Sequence, residues 1–186
     1  MLDDQALMQA LNSTPVVDGR CQDLWADDHE VTRWAREHGG TGGEEESRWL
    51  RTARDALQAV ESGAAVPAPA PAPESGTVSA SASTEPGLRH VLADVRKVPR
   101  PTASGIGWQL EAEPERRLAV ELVLAWADVK EQMPGRLRPC GNPECRLFLL
   151  DRSRANTARW CSMKTCGNRL KARRHQARVR ETPSPE

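Results

Sequence analysis

The chain has 186 residues, 38% of them hydrophobic, with one Phe, no Tyr and six Trp, so tryptophan has to supply most of the aromatic packing. Its 26 Lys and Arg balance its 26 Asp and Glu, which by itself argues against a polyanion partner. The balance hides a split: residues 1–135 hold 13 basic and 22 acidic side chains, net −9, whereas residues 136–180 hold 13 basic and 2 acidic, net +11, and the last six add −2. Asymmetry on this scale between segments points to a nucleic acid or another polyanion as partner.

The length accommodates one ordinary domain plus a small one. The longest apolar stretch, Leu118–Ala127, is broken by Glu121 and is too short to span a bilayer, so no membrane partner is expected. Met1-Leu-Asp-Asp lacks the basic and apolar blocks of a signal peptide, and a cytoplasmic location is the expectation. Thiols stay reduced there, so the five cysteines read as metal ligands or free thiols rather than disulfides.

In chain order, Leu2, Ala6, Leu7 and Ala10 have helical spacing and predict a short helix over Asp3–Leu11. Asn12–Gly19 reads as a loop with at most one extended pair. A second helix starts at Asp27 or Asp28 as N-cap, runs through Val31 and Trp34, and stops at Gly39-Gly40. A third follows Gly42-Gly43 with Glu44, Glu45 and Glu46 in its first turn, where carboxylates suit the helix dipole. Trp49, Leu50, Ala53, Leu57 and Val60 form its apolar stripe. In Gly63–Thr84, 19 of 22 residues are Ala, Pro, Ser, Gly or Thr. That composition cannot bury enough apolar area to offset its ordering entropy, which predicts a disordered insertion within one helical domain.

Glu85-Pro86 opens a fourth helix with Leu88, Val91, Leu92 and Val95 inward, and Pro99 and Pro101 are read as its stops. A small hairpin is expected over Thr102–Leu110, around Gly105 and Gly107. Pro114 suits the first position of a fifth helix, whose Leu118, Val120, Leu122, Val123, Ala125, Trp126 and Val129 cover most of the circumference. Such a helix belongs at the centre of the bundle. Pro134-Gly135 marks a boundary between a helical domain at 1–133 and a small domain at 136–180.

In the small domain, Cys140-x4-Cys145 and Cys161-x4-Cys166 are separated by a 15-residue gap, the arrangement of a structural zinc site with four thiolates in a tetrahedron. Gly141-Asn142-Pro143 is turn-forming, Arg146–Leu150 is an extended apolar segment, and Met163–Arg180 reads as a helix starting at the second pair. Knuckle, hairpin and ligand-bearing helix make a treble-clef-like arrangement. About 45 residues with so few apolar side chains are marginal without a metal, and zinc contributes about 10–16 kcal/mol of apparent binding free energy to folding in such units. Four thiolates leave no open position for water, so hydrolytic zinc chemistry is not expected. Cys21 stands apart and is expected as a buried or half-buried free thiol. The expected fold class is mainly α: a helical N-terminal domain with a small β-hairpin, followed by this zinc finger.

The last helix is basic. At about 100° per residue, Arg169, Arg173 and Arg180 line one stripe and Lys171, Arg174 and Arg178 the adjacent one. Arg152, Arg154 and Arg159 add charge from the preceding turn region. Guanidinium groups suit phosphates and guanine edges through bidentate geometry. Some of this charge offsets the −2 of a four-thiolate zinc centre, which leaves the finger near about +9. The nine basic residues are therefore candidate DNA contacts. DNA is favoured over RNA, because a basic helix suits the major groove and the segment has no aromatic stacking platform. Trp160 is expected in the packing beside the metal.

Cys140-Gly-Asn-Pro-Glu-Cys145, Phe148–Asn156, Arg159-Trp-Cys161-Ser-Met163 and Cys166-Gly-Asn-Arg169 resemble the CGNR zinc finger over residues 136–180. Ala10-Leu-Asn-Ser-Thr14, Asp18-Gly19, the Trp34 helix ending in Gly-Gly, and Leu50-Arg51 with Arg54-Asp-Ala-Leu57 resemble the ABATE domain that usually precedes this finger. The resemblance implies Cys140, Cys145, Cys161 and Cys166 as Zn2+ ligands and a role among bacterial, stress-induced transcription regulators. It also places Asn168 and Arg169 in the family signature, Asn168 as a cap or brace of the knuckle, Arg169 as a DNA contact or a clamp of the turn. The insertion at 63–84 is longer than the family needs.

The expected function is a DNA-binding transcription regulator, with the N-terminal domain regulatory through an effector ligand, a partner protein or self-association. A single small finger reads few base pairs, so useful specificity calls for a homodimer. The competing class is a protein-interaction or redox-sensing zinc module, with the basic helix against an acidic partner. An enzyme is the weakest class, because His29 and His38 lie among solvated polar residues with no catalytic arrangement around them.

Overall fold

The structure is a computed structural model that describes residues 1–17, 19–63 and 85–181, without the side chains at 85, 174, 175 and 177–181. The predicted disordered insertion lies, beyond Gly63, outside the described residues. Helix α1 (Asp4–Leu11) starts where the Asp3 carboxylate accepts the Ala6 N–H. Two short strands, β1 (Val16–Val17) and β2 (Arg20–Cys21), pair antiparallel. Helix α2 (Asp28–Glu37) is capped by Asp27 through the His29 N–H. Helix α3 (Glu44–Ser62) has a glycine N-cap with no side chain to offer. Glu46 reaches back instead, accepting from the Gly42 N–H at 2.7 Å and the Thr41 hydroxyl at 3.2 Å.

Helix α4 (Glu85–Val91) ends well before the two prolines expected to stop it. Pro99 and Pro101 lie inside β3 (Arg96–Thr102), which pairs antiparallel with β4 (Gly105–Glu111) from Arg96↔Glu111 to Thr102↔Gly105. The hairpin is therefore longer than expected at its N-terminal side. A proline is tolerated in a strand where its nitrogen faces away from the partner. Positions 99 and 101 alternate with 98, 100 and 102, so both prolines turn the same way, outward from β4.

Helix α5 (Pro114–Gln132) buries Leu118, Ala119, Val120, Leu122, Val123, Ala125 and Val129, as its nearly continuous apolar circumference predicts. It packs along α3 and also meets α1 and α4. Leu7, Leu11, Leu50, Leu57 and Leu122 are fully buried, with Trp25 and Trp34 beside them. Three charged side chains are buried in this body, Glu46, Arg54 and Arg116. Arg54 clamps both carboxylate oxygens of Asp23 at 2.6 and 2.9 Å and donates to the Ser13 hydroxyl at 3.1 Å. Its guanidinium also lies over Trp25. Gln58 ties the same corner, donating to Leu11 O and Thr14 Oγ1.

After Gly135 the chain forms a second hairpin, β5 (Leu137–Pro139) with β6 (Phe148–Leu150), and ends in a π-type turn (Met163–Gly167) leading into α6 (Asn168–Glu181). Leu137 and Phe148 belong to the same buried cluster as Leu7 and Leu57. The Asn12 amide, at the end of α1, donates to Phe148 O at 3.2 Å and accepts the Phe148 N–H at 2.7 Å. Arg152 adds an ion pair to Asp4 at 2.6 Å. The hairpin is thus seated on the helical body through apolar, backbone and charged contacts together. No described helix is long and apolar enough to cross a membrane.

Candidate metal centre

The loop joining β5 to β6 begins with Cys140, whose N–H donates to Leu147 O and extends the hairpin by one step. A tight turn closes with Cys145 N–H on Asn142 O at 2.8 Å, so Cys140 and Cys145 return to the same place. Cys161 arrives from the other side. Its N–H donates to Cys140 Sγ at 3.4 Å. Cys166 sits inside the turn that opens α6, where the Ser162 side chain accepts the Thr165 N–H.

The four sulfurs lie within 4.8 Å of one another, with Cys145–Cys161 and Cys161–Cys166 both at 3.7 Å. Zinc–sulfur bonds of about 2.3 Å in a regular tetrahedron put the sulfurs about 3.8 Å apart. The donor set therefore fits one tetrahedral metal ion, and its all-thiolate chemistry favours zinc. Among the described residues this is the one cluster of His, Cys, Asp and Glu side chains close enough to hold a metal. Bound there, zinc would cross-link the two knuckles as a structural centre.

The surroundings are built for this geometry. Trp160 is wedged between the two knuckles. A Cβ at Gly141 would lie 3.1 Å from its ring and 2.9 Å from Arg159 O, and one at Gly167 would lie 3.2 Å from the same ring and 2.8 Å from Met163 Sδ. Gly141 is required by its close approach to Arg159 O, whereas at Gly167 the nearest atoms belong to the movable end of Met163, and Trp160 sits beside the metal centre as its sequence position suggests. Asn142, fully buried, directs its amide to Cys166 Sγ at 3.5 Å.

Asp151 pins the other end of the hairpin. Its carboxylate accepts the Ser153 N–H at 2.8 Å, the Ala158 N–H at 2.7 Å and Arg138 Nη2 at 2.8 Å. Ser153 is the largest influence holding its pKa down at about 2, followed by the opposing effect of burial and then by Ala158 and Arg138. Arg138 also donates to Gly135 O, Ala158 O and the Asn156 side chain, so one arginine gathers the whole 151–158 turn.

In the metal-free protein, burial pushes the Cys145 thiol up to about 11, and burial with the neighbouring thiols pushes Cys161 higher still. For Cys166 burial acts upward too, but the Asn142 amide and the other thiols outweigh it and leave a net lowering. Metal uptake must displace protons from these thiols, so affinity falls as pH falls.

Six of the nine predicted basic residues have described side chains. Arg152, Arg154, Arg159, Arg169, Lys171 and Arg173 are exposed. Arg173 pairs with Glu144 at 2.7 Å, Arg152 pairs with Asp4, and Arg159 lies over the Trp160 ring. Arg174, Arg178 and Arg180 fall on α6, and their side chains are outside those described. One expectation needs revision. Cys21 is exposed rather than buried, because two-residue β2 lies on the surface, where Arg146 Nη1 approaches its sulfur at 3.3 Å. Asn168 is exposed with its amide on Lys164 O, bracing the turn. The asparagine on a metal-site sulfur is Asn142, which sequence reading treats only as a turn former.

No curated protein matched the chain. Residues 136–179 match the sequence model of the family described as the CGNR zinc finger.

Proposed function

We propose that this chain is a zinc-dependent DNA-binding protein and a bacterial transcription regulator of the stress-induced kind. The supporting observation is the pairing of a four-cysteine centre with a segment of 13 basic and 2 acidic residues. Arg152, Arg154, Arg159, Arg169, Lys171 and Arg173 project from a frame that the metal would hold rigid, and Arg174, Arg178 and Arg180 continue the basic helix. We read the frame as treble-clef-like and the zinc as structural, since four thiolates leave no position for a reacting water. The helical body is read as an ABATE-like regulatory domain that takes an effector ligand or a partner protein. Its motif residues Ser13, Thr14, Arg54 and Leu57 converge on one buried corner.

The test uses the full chain, because Leu137 and Phe148 are buried against the helical body. Zinc-loaded protein titrated into labelled random-sequence duplex should bind at low salt. The logarithm of affinity should then fall with the logarithm of salt concentration, with a slope of about −0.9 per neutralised phosphate. Alanine at Arg154 or Arg169 should reduce the slope by about one each. Absence of binding at low salt overturns the reading.

A second reading is a protein-interaction or redox-sensing zinc module. It is favoured by Arg152 already pairing with Asp4 of this chain's own acidic helical body, as a basic surface on an acidic partner does. Its redox form requires zinc release under mild peroxide, and retention of zinc removes it.

A further inference from the structure

The β3–β4 ribbon has a surface that the DNA reading does not use. Among the described residues of the ribbon, Leu110 packs against the main core, as do Val95 and Ala112 on either side of the ribbon's root. Beyond the root it projects. Ile106 and Trp108 are each 67% exposed, and Trp108 is the one tryptophan among the large hydrophobic residues left exposed. The register puts Pro99 opposite Trp108 and Pro101 opposite Ile106. Side chains alternate along each strand, so Lys97, Pro99, Pro101, Ile106, Trp108 and Leu110 share one face, apolar except for Lys97 at its root.

The two edges of the ribbon differ. On β3 the outward positions are Lys97, Pro99 and Pro101, and a proline has no N–H to donate. That edge cannot accept a further strand. On β4 the residues opposite them are Leu110, Trp108 and Ile106, each with a backbone N–H and C=O directed outward. No proline interrupts β4, and its single charged side chain is the terminal Glu111. Natural edge strands are guarded by charge, proline or cover; β3 is guarded and β4 is not.

We propose that β4 is the self-association edge of this protein, pairing antiparallel with β4 of a second copy about a two-fold axis at Trp108. In that register Trp108 faces Trp108 of the second copy, and Ile106 faces its Leu110. Glu111 lies opposite Gly105, so no like charges meet. The product is a four-stranded sheet, β3-β4-β4-β3, with the apolar face doubled and both outer edges closed by prolines. Because the far edges cannot pair, assembly stops at two copies and does not run on as a fibre. A second copy fits better than a foreign strand because the open edge is self-complementary about Trp108 and the blocked edges terminate the sheet.

The experiment is sedimentation velocity on full-length, zinc-loaded protein over a dilution series without DNA, so its outcome is independent of the DNA reading. Wild type should show a concentration-dependent monomer–dimer equilibrium and nothing larger. Trp108→Lys removes the central apolar contact, and Ile106→Pro copies onto β4 the block already present on β3. Each should weaken dimerisation by about tenfold or more. Arg100→Gln, on the opposite face of β3, should leave it unchanged. Zinc content and circular dichroism should match wild type in all three. Trp108→Lys changes only an exposed side chain, so it stands as the test if the proline variant distorts the ribbon. A protein that stays monomeric at every concentration, a dimer indifferent to both β4 variants, or growth beyond the dimer overturns the proposal.

Discussion

The helical body and the cysteine segment are held together by different physics. In the body, Leu7, Leu11, Leu50, Leu57, Val120 and Leu122 are completely buried, and apolar area removed from water at about 25 cal/mol per Å2 is the main source of order. The cysteine segment contributes only Leu137 and Phe148 to that cluster, with Leu149 also buried. What remains is polar: four thiols around one point, a buried aspartate and an arginine that ties a turn. Charge follows the same division. The body pairs its arginines inward or along helices, as Arg54 does with Asp23, whereas the cysteine segment leaves most of its basic groups facing solvent. A segment that relies on metal bonds for order is free to spend its surface on charge.

Metal removal breaks the comparison most severely. Chelation should unfold the segment from Cys140 onward while α1, α2, α3 and α5 persist, since zinc supplies about 10–16 kcal/mol to such units. Circular dichroism with amide-resolved NMR checks this, and simultaneous loss of both regions would refute the division. The reciprocal perturbation is Leu57→Ala. A cavity at this fully buried position should cost about 2–5 kcal/mol in thermal or urea unfolding, with zinc stoichiometry unchanged below the transition.

Asp23→Ala tests the buried Arg54 of the body. Leaving Arg54 without its bidentate partner should cost about 2 kcal/mol at neutral pH. Burial tends to raise the Asp23 pKa, but the Arg54 hydrogen bond and charge with the Trp25 N–H lower it overall. A lowered folded-state pKa contributes stability that is present above the ordinary aspartate value and lost as pH falls through the folded value. The gap between wild type and variant should therefore be constant near neutrality and close in acid, below about pH 4. A gap that widens in acid would reverse the assignment. The smallest effect is at the seam. Asn12→Ala removes both side-chain bonds to Phe148 and should cost about 1 kcal/mol. Amide exchange should accelerate in β6 before it does in α3, and equal acceleration everywhere would deny Asn12 a local role.

Much of this was legible in the residues. Apolar spacing gives a first helix from Asp3; Asp27, Gly43 and Pro114 announce the starts of others through cap and turn chemistry, and the starts fall there or one residue on. Two cysteine pairs at metal spacing name a cluster that the fold brings within 4.8 Å. Features that depend on non-local contact were not legible. Pro99 and Pro101 look like helix stops until β4 supplies a partner that turns their nitrogens outward. Asn12 lies 136 residues from Phe148, and no spacing rule links them. Asn142 reads as a turn residue because nothing local reveals that its amide ends on a sulfur contributed 24 residues later.

X-ray absorption at the zinc edge on full-length protein purified with zinc tests the central claim most directly, namely that four thiolates on one ion hold the basic segment in place. One zinc per chain with four sulfur neighbours at about 2.3 Å is the expected result. A centre with nitrogen or oxygen neighbours, or a folded cysteine segment with no bound metal, would contradict it.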